Sequence, residues 1–334
     1  KCSIAVSGTH GKSTTSAMIA HILTECGKNP TALLGAEYPP FGSNVRLGDP
    51  DLVVVEADES DGSFTLLKPT IAVVTNVEPE HLENYDDSED ELWRAFEMFV
   101  SQAQTAVLNA GEPSTVARLR PHAERCMFYS DKTVENLMLA VPGRHNALNG
   151  AAALTAVSLV YDVRGMEIVS SLCEFRGITR RFEFKGEANG ILLYDDYAHH
   201  PTEVKSTLAA ARDFLQRPLL VIYQPHRYSR TQQMGHEFGP CFEAADRVIV
   251  TQLYAAFEQP IEGVSGRIVH DAVRQQFPDK PLCYAQSLDE ARHLASELAR
   301  RGDAILTMGA GDVGTLAPLI LQDLQLKETH GRAA

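Results

Sequence analysis

The sequence has few of the features that a disulfide-bonded, zinc-binding or membrane-spanning protein needs. Its six cysteines are scattered and no two of them form a CxxC pair, so neither a zinc site nor a disulfide framework is indicated. A reducing, cytoplasmic location is therefore expected. No apolar stretch reaches the roughly 18 to 20 residues of a membrane helix, so no membrane insertion is expected either.

Positive charge is also in short supply. The chain has 30 Lys and Arg against 44 Asp and Glu, which gives a formal net charge of −14. Nucleic-acid binding draws on clustered basic residues in excess, so nucleic acid is not an expected partner. Any polyanionic ligand must therefore be met by a few local positive groups.

Apolar runs alternate with helical patterns along the 334 residues, a length typical of two domains. This alternation predicts an α/β fold built on parallel sheets. The first series predicts a P-loop ATPase-type domain over residues 1–176. The pattern changes near Gly177, and the second series predicts a Rossmann-like, doubly wound domain over 177–334 that binds its ligand at the carboxyl ends of its strands. The polar segment Lys327–Ala334 is expected to be a tail.

The predicted elements are as follows. In the first series, the strands are Ile4–Val6, Leu52–Glu56, Ile71–Thr75 and Ala106–Leu108, and the helices are Thr14–Glu25, Leu92–Gln102, Pro113–Leu119 and Asn146–Tyr161. In the second, the strands are Ile191–Tyr194, Leu219–Tyr223, Arg247–Thr251, Leu282–Tyr284 and Ala304–Met308, and the helices are Pro201–Leu215, Thr231–Phe242, His270–Phe277, Leu288–Arg301 and a final helix.

The stretch SGTHGKSTT predicts a phosphate-binding loop between the first strand and the first helix. Gly8, Gly11, Lys12 and Ser13 follow in the order that such a loop needs. Backbone N–H groups at a helix start carry partial positive charge, Lys12 adds a full charge, and the Ser13 hydroxyl can bind Mg²⁺. A Walker A loop has a glycine where this chain has Val6. The alternative is that Ser13 or Thr14 only caps the helix.

Two further strand ends carry polar groups that suit a nucleotide site. VVVEADESDGSF places Glu56 at the end of a strand, where an acid beside a phosphate loop is the usual second Mg²⁺ anchor. A solvated acidic turn is an equally good interpretation of the acids that follow it, Asp58, Glu59 and Asp61. TNVEPEHLENY is expected to bring Asn76 and His81 to the same sheet edge, although a single histidine in a polar loop is usually a surface residue.

Other candidate residues lie further along the chain. PGRHNALNGAAA places His145, Asn146 and Asn149 at a helix start, where Asn146 can cap the helix or contact a base. YDDYAHHPTE and YQPHRYSRT crowd polar side chains at strand ends, and Arg227 and Arg230 suit bidentate binding of a carboxylate or phosphate, although paired arginines are also common on surfaces. In MGAGDVG, tight packing is the better explanation of the glycines.

Taken in order, eight segments make the sequence resemble the Mur ligases, the ATP-dependent amide-forming enzymes of peptidoglycan precursor synthesis. They are GTHGKSTT, EADESD, TNVEPEH, GRHNALN, RRFEF, DDYAHHPTE, QPHRYSRT and MGAGDVG, and they span nearly the whole chain. The family's loop, GTxGK[ST], does not require the earlier glycine, which accounts for Val6. Within the family, the pattern is most similar to the member that adds L-alanine to UDP-N-acetylmuramate.

The resemblance implies ATP and Mg²⁺ as cofactors and UDP-N-acetylmuramate and L-alanine as substrates, with the protein a monomer or a homodimer. A phosphoryl group passes from ATP to a carboxylate, and the amine of the amino acid then displaces phosphate. Closure of the second domain on ATP is expected in each turnover.

The resemblance also implies roles for individual residues. Those with catalytic roles are Lys12, Glu56, His81, Arg181 and His199. Those that bind the nucleotide are Gly8, Thr9, His10, Gly11, Lys12, Ser13, Thr14, His145, Asn146, Asn149, Arg181 and Asp196. Substrate contacts are expected from Asn76, Tyr197, His199, Arg227 and Arg230, and metal contacts from Ser13, Glu56 and His81. A loop lysine carries no core, so replacing Lys12 by Ala is expected to stop turnover without disturbing the fold.

Three departures from the family pattern bear on this interpretation. Members begin with an additional UDP-binding domain, whereas this sequence starts at the first strand of the ATPase domain. The passage around Lys132, before PGRHN, is shorter than usual. Some sister ligases have a modified lysine where this chain reads WRAFEMF, around Phe96, and this difference favours the alanine-adding member.

Other functions remain open at this point. One is a different ligase of the superfamily, such as a tripeptide-recycling ligase or folylpolyglutamate synthase. Another is a non-ligating ATP-binding module or a mechanical ATPase, although acceptor-binding residues in a second domain are hard to explain in that case.

Overall fold

The structure, a computed structural model, describes residues 1–160 and 165–331. The chain divides into two compact units, Lys1–Thr179 and Arg180–Ala334. Among the residues described, no helix is long and apolar enough to cross a membrane.

The first unit is a largely parallel sheet with helices. Its strands are β1 (Cys2–Ser7), β2 (Pro30–Tyr38), β3 (Ser43–Arg46), β4 (Asp49–Glu56), β5 (Ile71–Val74), β6 (Thr105–Asn109) and β7 (Cys126–Tyr129). Its helices are α1 (Lys12–Glu25), α2 (Glu89–Ser101), α3 (Pro113–Leu119), α4 (Arg144–Ser158) and α5 (Gly165–Glu174). The strand order is β3-β2-β4-β1-β5-β6-β7, and only the β2–β3 pairing within this sheet is antiparallel.

The second unit repeats this architecture with a smaller sheet. Its strands are β8 (Glu183–Ala188), β9 (Ile191–Asp196), β10 (Leu219–Tyr223), β11 (Arg247–Thr251), β12 (Leu282–Ala285) and β13 (Ala304–Met308). Its helices are α6 (Pro201–Leu215), α7 (Tyr228–Met234), α8 (Arg267–Gln276), α9 (Leu288–Leu298) and α10 (Leu316–Gly331). The strand order is β12-β11-β10-β13-β9-β8, parallel except for the β8–β9 pair. The predicted α/β class is confirmed in both units.

Strands β5 and β10 are buried at every position, which explains their continuous apolar sequences. In β1, Ile4 and Val6 pack in a core with Met18 of α1, whereas Ala5 packs in a second core with Phe96 of α2. This division follows from the two-residue period of a strand, which sends successive side chains to opposite faces of the sheet. The sheet therefore separates two hydrophobic cores, and its strand ends are left to carry polar chemistry.

The strands that the sequence did not predict lie at sheet edges or next to them. In the first unit β3 and β7 are edge strands, and β2 carries a register irregularity between Leu33 and Tyr38. In the second unit β8 is an edge strand with an irregularity between Phe184 and Gly186. β2, β3 and β8 are partly exposed and lack a continuous apolar run, whereas β7 is apolar but only four residues long. Helix α5 was also missed, although Ile168 and Leu172 are buried in it.

Several predictions about helices and their ends need correction, including the helix expected to reach Arg301, which ends at Leu298. The helix expected over Thr231–Phe242 is wrong: α7 ends at Met234, and a 3-10 segment covers Gly235–Phe242 because Pro240 lacks an N–H and Gly239 packs against α8. Helix α4 ends at Ser158, and the predicted end at Tyr161 lies outside the described residues. The expected tail begins inside α10, where Lys327 donates from Nζ to the Ser296 carbonyl at 2.8 Å. Residues 332–334 lie outside the described residues.

We expect replacement of Phe96 by Ala to destabilise the first unit by about 3–5 kcal/mol, because the ring is fully buried against Phe64 and its loss leaves a cavity. Urea unfolding followed by far-UV circular dichroism measures the loss. The matched control is Met98→Ala on the same helix, where the side chain is 54% exposed and the expected change is within about 0.5 kcal/mol. Equal losses in the two variants would contradict this account of the core.

Candidate functional site

The loop between β1 and α1 is shaped by two glycines with positive φ. Gly8 has φ 126° and Gly11 has φ 87°, and Gly11 stands at the N-cap position of α1 without a side-chain cap. A Cβ on Gly8 would collide with Thr75 and Asn76, and one on Gly11 would collide with Asn149. Val6 is fully buried in β1, so the tight turn begins after it. The interpretation of Ser13 or Thr14 as a mere helix cap is therefore wrong.

Asn76 fixes the conformation of this loop from the end of β5. Its Oδ1 accepts the His10 N–H at 2.9 Å and its Nδ2 donates to the His10 carbonyl at 3.1 Å. Its backbone carbonyl accepts the Thr9 N–H at 3.0 Å, and the Thr9 hydroxyl accepts the Glu78 N–H at 2.8 Å. Both polar atoms of the Asn76 amide are thus hydrogen-bonded to the backbone of the loop. A contact between Asn76 and substrate stays a prediction.

Ser13 and Glu56 form a pair of oxygen ligands at the start of α1. The Ser13 hydroxyl donates to Glu56 Oε1 at 3.1 Å, and the Gly35 N–H donates to Glu56 Oε2 at 2.7 Å. A Cβ at position 35 would collide with this carboxylate, so the glycine makes room for it. Hydroxyl and carboxylate oxygens are the donors that Mg²⁺ prefers, and this pair fits such an ion.

Lys12 lies inside the loop and is largely buried. Its Nζ donates to the Gly8 carbonyl at 2.8 Å and to the Thr9 carbonyl at 3.3 Å, and it lies 2.8 Å from Glu59 Oε2. Burial alone lowers the pKa of Lys12, but the Glu59 and Asp58 carboxylates outweigh it and raise the pKa above its usual value. The ammonium is therefore charged and held within the loop.

The acids after β4 have separate environments. Glu59 is 2% exposed beside Lys12, whereas Asp58 and Asp61 are exposed and accept the N–H groups of Ser60 at 3.0 Å and Ser63 at 2.9 Å. The solvated-turn interpretation is correct for the two aspartates and wrong for Glu59.

His81 is partly buried in a strained loop. Its φ is 58°, a left-handed value that is uncommon for a non-glycine residue and is often found at functional sites. Its two ring nitrogens lie 3.8 Å from the carboxylates of Glu80 and Glu83. A role as a metal ligand stays a prediction.

The asparagines of α4 are bonded to the protein itself. Asn146 donates from Nδ2 to the Pro142 carbonyl at 2.7 Å, and its Oδ1 accepts from Asn149 at 3.3 Å. The Asn149 Oδ1 in turn accepts from Thr15 of α1 at 3.3 Å. Gly143 is the N-cap of α4, so Asn146 does not cap it, and His145, one residue earlier, is partly buried. Base contacts from these residues stay a prediction.

In the second unit, Arg180 connects the end of β9 to the glycine-rich turn after β13. It lies 3.0 Å from Asp195 and donates to the carbonyls of Gly309 at 2.6 Å and Gly311 at 3.1 Å. Gln224 binds the same turn through Asp312 at 2.7 Å. Side chains at the turn glycines would collide with these groups, so the tight-packing explanation of MGAGDVG is confirmed.

Neither Arg180 nor Gln224 was singled out from the sequence. The doubled arginine in RRFEF was the signal for the first, and the glutamine directly after the apolar run of β10 was the signal for the second.

Arg181, Asp196 and His199 lie around the end of β9, and Glu203 links two of them. The Glu203 carboxylate accepts the His199 N–H at 3.1 Å and lies 3.5 Å from Arg181. Asp196 is buried and accepts N–H groups of Phe182 at 2.7 Å and Ala198 at 2.8 Å. A contact between Asp196 and ribose stays a prediction, since these bonds give the carboxylate a structural role.

Burial changes the charge of groups at this strand end. It raises the pKa of Asp196 to about 6, although Arg181 opposes the change, and it lowers the pKa of His199 to about 3. The ring of Tyr197 lies against both Arg180 and Arg181, with guanidinium carbons 5.1 and 5.3 Å from its centroid. At neutral pH His199 is uncharged, and the arginines carry the positive charge here.

The second cluster lies at the end of β10. His226 stacks on Tyr254 with ring centroids 5.8 Å apart, and its Nδ1 lies 3.5 Å from Arg230. Burial, together with Arg230 and Arg227, lowers the pKa of His226 to about 4. Arg227 stands before α7 with φ 69°, and its N–H donates to the Tyr254 carbonyl at 2.9 Å. Both arginines thus follow a strand end, the ligand-binding edge of a doubly wound sheet.

Comparison with known proteins agrees with this geometry. Residues 6–137 match the Mur ligase middle domain, and residues 180–311 match the Mur ligase glutamate ligase domain. The UDP-N-acetylmuramate–L-alanine ligase of Desulforamulus reducens is 40% identical over 98% of this chain and 77% of its own length. That of Anaeromyxobacter dehalogenans is 38% identical over 97% of this chain and 76% of its own length.

A solved structure gives the same result. The UDP-N-acetylmuramate-alanine ligase of Thermotoga maritima has a TM-score of 0.81 at 28% identity, covering 98% of this chain and 76% of that one. Two matching domain families and relatives that align over almost the whole sequence leave one conclusion: the chain belongs to the Mur ligase family.

Proposed function

We propose that this protein joins L-alanine to UDP-N-acetylmuramate, with ATP converted to ADP and phosphate. The observation that carries the proposal is the loop of the first unit, where a charged Lys12 lies beside the Ser13–Glu56 oxygen pair. The names of the relatives, which align over most of their own length, support the choice of substrates.

The reaction proceeds in two displacements. A carboxylate oxygen of UDP-N-acetylmuramate attacks the γ-phosphorus of ATP, ADP leaves, and a mixed acyl phosphate forms. The free amine of L-alanine then attacks the acyl carbon, loses a proton, and phosphate leaves with the electrons of the broken C–O bond. The protein supplies little covalent chemistry, so its contribution is positioning and charge neutralisation.

In the first unit, the loop N–H groups and Lys12 bind the phosphates, and Asn76 holds the loop in shape for them. Ser13 and Glu56 would hold Mg²⁺, which neutralises phosphate charge when bound. In the second unit, Arg227 and Arg230 bind the carboxylate of the amino acid, since guanidinium groups suit bidentate contacts to it. His199 and His226 are neutral there and leave that charge to the arginines.

We expect phosphate release from ATP only when UDP-N-acetylmuramate and L-alanine are both present, because each displacement needs its acceptor. A coupled phosphate assay with each substrate omitted in turn measures this dependence, and glycine and L-serine in place of L-alanine test selectivity. Equal release with ATP alone would favour a plain ATPase instead.

Replacement of Lys12 by Ala is expected to lower turnover by about a thousandfold, because the phosphates lose their buried positive charge. The sequence alone suggests no cost to the fold, but the 2.8 Å ion pair argues otherwise: an unpaired buried Glu59 costs about 3–5 kcal/mol. Steady-state kinetics and urea unfolding measure the two effects. The control, Lys68→Ala, removes an exposed lysine and should leave both unchanged.

Replacement of Glu56 by Gln is expected to raise the Mg²⁺ concentration needed for half-maximal activity by about tenfold, because one anionic ligand is lost. A Mg²⁺ titration at fixed ATP measures the shift. Asp51→Asn, at the exposed opposite end of β4, is the control. An unchanged titration in Glu56→Gln would remove Glu56 from the metal site.

A further inference from the structure

The Lys12 ammonium already has three oxygen neighbours within the chain. Its Nζ donates hydrogen bonds to the Gly8 carbonyl at 2.8 Å and to the Thr9 carbonyl at 3.3 Å, and it forms an ion pair with the Glu59 carboxylate at 2.8 Å. A phosphate oxygen that binds Lys12 meets a cation that already has an anionic partner. An anion that binds at this loop therefore competes with the Glu59 carboxylate for the Lys12 ammonium.

Glu59 is built into this position. Its side chain is 3% exposed, whereas that of Asp58, which lies 3.9 Å from Lys12, is 58% exposed. Its backbone carbonyl accepts a hydrogen bond from the Tyr85 hydroxyl, and Tyr85 itself is 7% exposed in the core of the first unit. The backbone of the turn that carries Glu59 is thus tied to the core, which places its side chain beside Lys12.

Of the three partners, Glu59 is the one that a phosphate opposes. The two carbonyls belong to the loop, which Asn76 holds through the backbone of His10. A carboxylate and a phosphate on the same buried ammonium repel each other, because screening by water is weak there. Burial also raises the pKa of Glu59 despite the lowering effect of Lys12, so the environment disfavours the negative charge of this carboxylate itself.

We propose that Glu59 is an internal counter-ion that competes with nucleotide phosphate for Lys12 and so sets how tightly the loop holds ADP. Glu59 acts through its ion pair with Lys12, so it is a positioning residue. The inference rests on the proposed function only in that the loop binds nucleotide phosphate. This competition weakens the binding of ADP. Between turnovers, the Glu59 carboxylate keeps the Lys12 ammonium charged and in place.

The test measures the affinity for Mg-ADP by isothermal titration calorimetry at saturating Mg²⁺. Glu59→Gln keeps the shape of the side chain and removes its charge, and the expected result is about tenfold tighter binding. Glu59→Asp keeps the charge but withdraws it by one methylene group, so a smaller gain is expected. The control Asp61→Asn removes an exposed charge of the same turn that is bonded to Ser63, and the expected change is less than about twofold.

The outcomes separate competition from simple support of the fold. If Glu59 only stabilises the loop, both variants at position 59 bind Mg-ADP more weakly, and the proposal is overturned. Unchanged affinity in Glu59→Gln, with its thermal unfolding showing a folded protein, also overturns it. Tighter binding in an enzyme that releases phosphate without its acceptors would uphold the role of Glu59 and refute the proposed ligase reaction instead.

Discussion

The parallel pairing of β1 with β4 on one side and β5 on the other is the constraint on which the first unit's site depends. In this register Val6 pairs with Glu56 and Ser7 with Val74, so three strand ends meet at one edge. The flanking backbone continues the pairing past the strands, with the Ala57 N–H bonded to the Val6 carbonyl at 2.8 Å and the Thr75 N–H to the Ser7 carbonyl at 3.0 Å. The loop is thereby fixed from both sides, and on the β5 side Thr75 and Asn76 leave no room for a Cβ at position 8. The conformation of the loop between β1 and α1 is therefore determined by the pairing of the three strands.

The same constraint explains what the sequence could predict of the fold. Strands buried on both faces must be apolar throughout, so β1, β4, β5, β10, β11 and β13 are readable as continuous runs. The edge strands β3 and β8 need only one apolar face, and their half-polar sequences look like loops, whereas β7 is apolar but only four residues long. The helix prediction for Thr231–Phe242 was wrong for another reason. The apolar spacing suits an α-helix, but Gly235 and Gly239 pack closely against α8, and the backbone there forms a 3-10 segment. Such packing is a tertiary effect that one-dimensional spacing does not contain.

The sequence predicted which residues lie at the candidate site, but it did not predict which partners their polar atoms bind. Ser13 and Glu56 could be paired from the sequence, because Ser13 lies in the first turn of α1 and Glu56 is the last residue of β4, at the same sheet edge. The structure brings the two side chains within hydrogen-bonding distance. Asn76, Asn149 and Asp196 were also located at strand or helix ends, yet their polar atoms are bonded to neighbouring groups of the protein. The residue type shows which hydrogen bonds a side chain can form. Only the fold shows which of these bonds are made to other groups of the protein.

A chain with a net charge of −14 that binds phosphate must concentrate positive charge, and it does so in pairs with a buried carboxylate. Lys12 is matched by Glu59, and Arg180 by Asp195, because an unpaired buried charge costs more free energy than the fold can spare. The two pairs are not equivalent. Arg180 also bonds two carbonyls of the glycine-rich turn through a rigid, planar group, so releasing it would undo that turn. Lys12 has a flexible stem and a compact charge that can change partners without moving the backbone. The residue type thus separates a cation that supports the structure from one that is free to exchange its counter-ion for a ligand.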